Sequence, residues 1–221
     1  MADRWATFDC YGTLIDWNGG IGRELERLFG AEHVGRLLHA YHEVEPEIER
    51  EQPGATYREV LTTALARLAE RDGIGLPAGE HDALARSLPS WSPFPDVRDA
   101  LDDARARGWK LAILSNTDRE YLDASLAQIG VPFEVTIVAS EIGSYKPAHR
   151  HWQAFDQQTA VARDAHVHVA ASLFHDIQPA TELGLKTVWI NRLGEHPGPH
   201  PDVEQGSLSG LGDALDSLVP A

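Results

Sequence analysis

The sequence predicts an α/β protein: a doubly wound parallel sheet with a helical module inserted after its first strand. Three observations predict it. A short apolar run, Trp5 to Phe8, delivers Asp9 into a turn that contains Gly12 and Thr13, as a strand ending in a loop does. From about Asn18 to Trp91 the chain reads as helix after helix, with no convincing strand. From Pro95 onward strand and helix patterns alternate, and alternation at this length implies β-α-β units.

Taken in order, Ile21, Leu25, Leu28 and Phe29 form one apolar stripe, followed by a helical pattern from about Val34 to Glu51. Thr56 with Glu59 three residues on is a capping-box signature, and Val60, Leu61, Ala64, Leu65 and Leu68 make the next stripe, stopped at Gly73 by an expected left-handed cap. Ser92-Pro93-Phe94-Pro95 stiffens the return to the core, with Pro95 suited to a helix's first turn. A helix from Asp96 to Arg107, ended by Gly108, leads to strand Lys110–Leu114, helix Arg119–Ile129 and strand Phe133–Ala139. A helix from about His149 to Gln158 precedes strand His166–Ala170, helix Ile177–Leu183 and strand Thr187–Ile190. Gly194 to Gly206, rich in proline and glycine, is expected to be irregular surface, and Leu208–Leu218 a closing helix. The expected division is a core of 1–16 and 93–221 and a helical cap of 17–92, with the active site between them.

Composition narrows the function. With 43% apolar residues in 221, the chain supports a sizeable core. Nineteen basic against 34 acidic residues leave a net charge of −15, so neither nucleic acid nor an anionic membrane is an expected partner. No apolar run is long enough to span a bilayer, and Met1 runs straight to Asp3 and Arg4 without a signal-peptide core. A cytoplasmic location is expected, in keeping with a single cysteine, Cys10, read as a small buried strand-end residue.

Each expected core strand ends in polar groups, where open parallel sheets build their sites. Asp9 follows the first and is read as a presented nucleophile or a turn cap. The strand ending at Leu114 runs into Ser115-Asn116-Thr117-Asp118, donors suited to an anion and equally to an N-cap by Ser115 or Thr117. Lys146, one of three lysines in the chain, follows the third; there a point cation keeps a carboxylate ionised, and a solvated loop lysine is the plainer reading. Asp176 sits at another helix start after the fourth, where capping is again the alternative.

Asp9, Ser115 with Asn116, Lys146 and Asp176, in that order after successive strands, resemble the four motifs of the haloacid dehalogenase superfamily, whose Rossmann-like core carries an inserted cap in the same place. The resemblance implies Asp9 as nucleophile, Ser115 and Lys146 orienting and stabilising it, and Asp176 assisting hydrolysis. The family's phosphatases carry an acid two residues after the nucleophile and a magnesium-holding acid five residues before the final aspartate; here these are Tyr11 and Ala171, and a methyl does not bind a hard cation. The phosphonate-cleaving branch uses a cap lysine, and none occurs between Asp16 and Lys110. What remains resembles the type II 2-haloacid dehalogenases, whose opening motif has a tyrosine where Tyr11 stands. The resemblance implies an aspartyl-ester mechanism on a small anionic 2-haloacid, with no metal and no cofactor. The alternatives are a phosphohydrolase of a small metabolite and a non-catalytic member that binds an anion or a partner. A homodimer is expected by resemblance.

In that branch Thr13 braces Asp9, which Lys146 is expected to keep anionic by lowering its pKa. Tyr11, Asn116 and Ser172 are expected at the substrate, with His42 where the family places an anion-holding cap arginine and Trp152 where it places a tyrosine. Trp17 and Trp91, like Trp152, are candidates for an apolar wall or for simple packing. His166 and His168 share a strand face, an arrangement compatible with metal binding, but no third ligand is near and sheet packing is the expected role. His175, beside Asp176, is read as a helix-start residue or a proton relay.

Overall fold

The computed structural model describes residues 3–220 except 197 and 199. Pro197 and Pro199, part of the expected irregular loop, and Met1, Ala2 and Ala221 lie outside the described residues. The sheet holds six strands: β1 (Arg4–Phe8), β2 (Trp109–Ser115), β3 (Val135–Val138), β4 (His166–Ala170), β5 (Lys186–Ile190) and β6 (Val203–Gln205). Their order is β3-β2-β1-β4-β5-β6, and every neighbouring pair is parallel. A strand in such a sheet is covered on both faces, which is why β4 is buried at all five positions despite two histidines. Strand order reverses between β1 and β4, and the crevice of a doubly wound sheet opens outside the strand ends at that switch.

The chain leaves β1 for four helices, α1 (Trp17–Phe29), α2 (Ala31–Glu51), α3 (Tyr57–Asp72) and α4 (Ala83–Ser87), and a 3-10 turn, Leu88–Ser90, before rejoining the sheet layer at α5 (Val97–Ala106). The two crossing segments are tied together: Asp16 N donates to Ser92 O at 2.9 Å, and Ile15 pairs with Pro93 in an antiparallel bridge. Gly20 lies against Trp91, where an added Cβ would stand 2.4 Å from the indole. Trp91 is therefore a packing residue beneath α1 and not part of a cavity wall. The capping box of Thr56 and Glu59 and the left-handed Gly73 both form. One continuous apolar cluster joins Phe8 and Ile113 of the sheet to Leu37, Val60 and Leu65 of the insert, so the helices rest on the core through shared hydrophobic burial.

Beyond α5 come α6 (Arg119–Ile129), α7 (Ala139–Ile142), α8 (Arg150–Thr159), α9 (Gln178–Glu182) and α10 (Leu211–Leu218). Three expectations are corrected. The segment Gly194–Gly206 is not wholly irregular, because β6 pairs in parallel with β5 through Val188 and Val203; three residues at a sheet edge leave almost no periodic signal. The third strand shortens to Val135–Val138 because Ala139 already opens α7. The helix expected from Ile177 begins instead as a π-helical turn, Leu173–Ile177, N-capped by Ser172 and continuing into α9.

Candidate active site

The turn after β1 is tight: Leu14 N and Ile15 N both donate to Cys10 O, at 2.8 and 2.9 Å, with Gly12 at a φ of 90° that favours glycine. That folds Thr13 back under the strand end. Its hydroxyl donates to Asp9 Oδ2 at 2.9 Å and accepts from Ala171 N at 2.9 Å, so one side chain joins the ends of β1 and β4.

Lys146 is 1% exposed, and its ammonium donates to Asp9 Oδ1 at 2.9 Å, Asp176 Oδ1 at 2.6 Å and Leu114 O at 2.9 Å. Three protons have three acceptors, which fixes the head group; two buried carboxylates left without it would be strongly unfavourable. Its backbone is clamped by Asn116, whose Oδ1 accepts from Lys146 N at 2.7 Å while Nδ2 donates to Lys146 O at 3.1 Å. Asn116 thus spends its amide on positioning Lys146, although it also borders the cavity. Asp176, on the π-helical turn, is in addition 3.0 Å from His168 Nε2. Behind it, Thr7 Oγ1 lies 2.8 Å from both His168 Nδ1 and His166 Nε2, so the two histidines of β4 serve a buried hydrogen-bond chain. Burial pushes His166 down to about 3, which keeps its imidazole neutral.

One cation between two carboxylates leaves a net negative charge in a dry place. Burial raises Asp9 above the ordinary aspartate value, Lys146 opposes this, and the Asp176 carboxylate adds to it. The expectation that Lys146 leaves Asp9 with a lowered pKa is corrected: the lysine acts in that direction and desolvation outweighs it. For Asp176 burial is outweighed instead, and Lys146 with His168 holds it well below the usual carboxylate range. Burial lowers Lys146, but Asp176 and Asp9 together raise it, so it stays charged.

The cavity over these groups has a volume of about 620 Å³ and lies between the strand ends and α1 and α2. Tyr11 contributes its ring; its hydroxyl is 3.0 Å from Ser125 Oγ, and its ring lies 6.2 Å from that of Tyr57. His42 borders the cavity edge-on to Trp17 at 4.9 Å, and burial, then His39, lowers its pKa, so it is a neutral donor at pH 7. Ser172 borders it too, with Oγ accepting from His175 N at 3.0 Å. Ser115 Oγ is buried beside the cavity with no hydrogen-bond partner among the described residues. Neither Ser115 nor Thr117 caps α6; the cap residue is Asp118. Trp152 is corrected as a substrate contact: it lies on α8, 1% exposed, in a cluster with Trp5, Leu114 and Phe155. It packs edge-on against His168 at 5.2 Å, behind the sheet ends and away from the cavity.

Sequence reasoning missed three residues of this site, Glu45, Glu49 and Arg192. Glu45 and Glu49 of α2 face the cavity and are buried; in sequence they look like the solvated side of an acidic helix. Arg192, just beyond β5, donates to Thr13 O at 3.1 Å and is paired with Asp96 through two contacts of 3.1 Å, its guanidinium over Phe94 at 3.9 Å. A fifth strand end, Asn191-Arg192 after β5, was the available signal. His175 also borders the cavity, 3.8 Å from Glu49 Oε2.

The donor set does not fit the magnesium of the family's phosphatases. Asp9 accepts from Lys146 and Thr13, and Asp176 Oδ1 accepts from Lys146 and lies 3.0 Å from His168 Nε2, which leaves these two acids as the carboxylates at the strand ends. At the remaining position Ala171 offers a methyl and a carbonyl already bonded to Trp189 Nε1 at 2.8 Å. Among the described residues no three acid, histidine or cysteine side chains are grouped to hold a metal ion.

Known proteins agree with this frame. The chain is 29% identical over 219 residues to an (S)-2-haloacid dehalogenase of Pseudomonas sp. strain YL, covering 96% of this chain and 94% of that one. It is 26% identical over 235 residues to a pyrimidine 5'-nucleotidase of Streptococcus pneumoniae, covering 99% and 98%. A solved L-2-haloacid dehalogenase, 23% identical, superposes with a TM-score of 0.88 over 98% of this chain and 100% of that chain, a likeness of fold. The family model for haloacid dehalogenase-like hydrolases matches residues 4–184, from β1 into the turn before β5, and the chain belongs to that family.

Proposed function

We propose that this enzyme hydrolyses the carbon–halide bond of a small 2-haloacid through an ester on Asp9, without a metal. The observation that carries the reading is the ammonium of Lys146 between Asp9 and Asp176, in a site with Tyr11 and Ala171 at the two positions where the family's phosphatases have acids. A carboxylate oxygen of Asp9 attacks C2 from the face opposite the halogen; the new C–O bond forms as the C–X pair leaves with halide. Water, oriented at Asp176 and Lys146, then adds to the Asp9 carbonyl carbon. The acyl–oxygen bond breaks, the 2-hydroxyacid departs with an oxygen from Asp9, and Asp9 takes its replacement from water. The net products are hydroxyacid, halide and one proton. Thr13 and Lys146 hold the nucleophile for in-line attack, an orientation effect.

The single buried cysteine, Cys10, has no second cysteine to pair with and supports a cytoplasmic setting. No helix among the described residues is long and apolar enough to cross a membrane. Assembly as a homodimer belongs to the same reading through the family resemblance, and light scattering on the purified protein reads it.

The deciding experiment measures halide and phosphate release from fluoro-, chloro- and bromo-acids and from phosphate esters, with and without chelator. Halide release that ignores chelator, and is abolished by Asp9→Asn, is the expected result. Turnover in isotopically labelled water should place label first in Asp9. Phosphate release that chelator stops, with no halide from any acid, would replace this reading with a phosphohydrolase. Undiminished ligand binding without turnover of either class would replace it with a non-catalytic member.

A further inference from the structure

The wall of the cavity formed by α2 carries two carboxylates one helical turn apart, Glu45 and Glu49, which therefore share a face. Each is less than a tenth exposed. Glu45 Oε1 accepts from the hydroxyls of Tyr57 at 2.6 Å and Tyr41 at 3.3 Å; Glu49 Oε2 has only the long approaches of Asn116 Nδ2 at 3.4 Å and His175 Nε2 at 3.8 Å. Among the described residues no arginine or lysine is paired with either. As anions, two buried acids facing the carboxylates of Asp9 and Asp176 are costly, so they hold protons until something positive joins them. Burial accordingly pushes Glu45 up to about 7 and lifts Glu49 well above its ordinary value.

The same wall is aromatic. Tyr11, Trp17 and Tyr57 line the cavity beside these acids, and ring faces attract a cation as the carboxylates do. On that side His42 is a neutral imidazole, and Arg192 has both terminal nitrogens engaged by Asp96 and Thr13 O, with only its buried Nε unpartnered among the described residues. On the core side the unpartnered hydroxyl of Ser115 is available to an acceptor such as a substrate carboxylate. The cavity thus combines a free hydroxyl at Ser115 with a carboxylate pair on α2, and its volume of about 620 Å³ exceeds what a three-carbon acid fills.

We propose that the far end of the substrate carries an ammonium group received by Glu45 and Glu49, so that the enzyme acts on 2-haloacids bearing a terminal amine. This rests on the dehalogenation reading above and sharpens its substrate class. Neither glutamate takes part in bond making; both set which acid is held with its C2 at Asp9.

The test compares halide release from 2-chlorobutanoate and 2-chlorohexanoate with that from 2-chloro-4-aminobutanoate and 2-chloro-6-aminohexanoate. The expected result is that kcat/KM for at least one aminated acid exceeds that of its unaminated partner by about tenfold or more, chiefly through KM, the size of one charge-assisted contact. Glu49→Gln and Glu45→Gln, which keep side-chain shape, should collapse that preference to about twofold or less. Equal turnover of aminated and plain acids, or a preference for plain ones, overturns the cation site and leaves dehalogenation standing. Absence of halide from every acid overturns dehalogenation. Calorimetric titration of the native protein with 4-amino-2-hydroxybutanoate and 2-hydroxybutanoate then decides the cation site separately, which stands if binding follows the amine and falls if it does not.

Discussion

Lys146 is the residue on which the others depend, because among the described residues it is the one buried cation that two carboxylates share. Asp176 is also held by His168, so Asp9 is the acid that takes up a proton first as pH falls. A protonated Asp9 is no nucleophile. The acid limb of kcat/KM should therefore fall with a midpoint above the ordinary aspartate range, and Thr13→Val, which removes a bond to the ionised form, should move it further up by roughly half a pH unit. A pH–rate profile with the limb at or below the ordinary aspartate value would contradict this. Asp9, Ser115, Lys146 and Asp176 were legible in sequence because they come after successive apolar strands in the order of the family's four motifs; each alone reads equally as a cap or a solvated residue. Glu45 and Glu49 were not, since a buried acid and a solvated acid are spelled alike and only the packing of α2 over the strand ends separates them. Trp152 shows the converse: its place after the lysine motif suggested a substrate contact, yet α8 turns it behind the sheet.

Among the elements, the start of α3 shows how the insert is held in register with the loops at the strand ends. Asp118, directly after the Ser115-Asn116 turn, sends its carboxylate across to accept from Tyr57 N at 2.9 Å and Arg58 N at 3.0 Å, while Thr56 Oγ1 accepts from Glu59 N at 3.3 Å. The first turn of a helix in one layer is thus capped partly by the other layer, and a carboxylate at a helix N-terminus is also electrostatically favourable. Tyr57 then presents its hydroxyl to Glu45. Asp118→Ala should cost about 1–2 kcal/mol in urea unfolding and raise KM more than it lowers kcat, because α3 and the wall it supports lose their anchor. Unchanged stability and KM would show the cap to be redundant. The capping box itself was readable from Thr56 and Glu59, whose partners are three residues apart; Asp118 was not, because its partners are some sixty positions away and nothing local marks a side chain that caps a helix other than its own. For the same reason alternation revealed β1, β2, β4 and β5, each backed by a helix-length period, whereas β6 is short and exists through its pairing with β5.

At the scale of the whole molecule, the net charge of −15 bears on how substrate arrives. The Asp9–Lys146–Asp176 cluster, with two carboxylates to one lysine, continues that negative field into the cavity, and Glu45 and Glu49 add to it as they ionise. A plain 2-haloacid anion approaches against it, whereas an acid with a terminal ammonium carries no net charge and can present its positive end first. Salt screens the long-range part of the field over about 10 Å at 0.1 M, and the buried contacts much less. Between roughly 10 and 150 mM salt, kcat/KM for 2-chlorobutanoate should therefore rise by about twofold or more, while that for the aminated acid should stay nearly flat. The contrast separates two origins of selectivity. If both substrates respond to salt alike, the surface field sets access for every acid and the preference arises wholly inside the cavity. If only the plain acid responds, the surface and the cavity discriminate in the same direction, which gives the acidic composition of the chain a direct part in choosing the substrate that reaches Asp9.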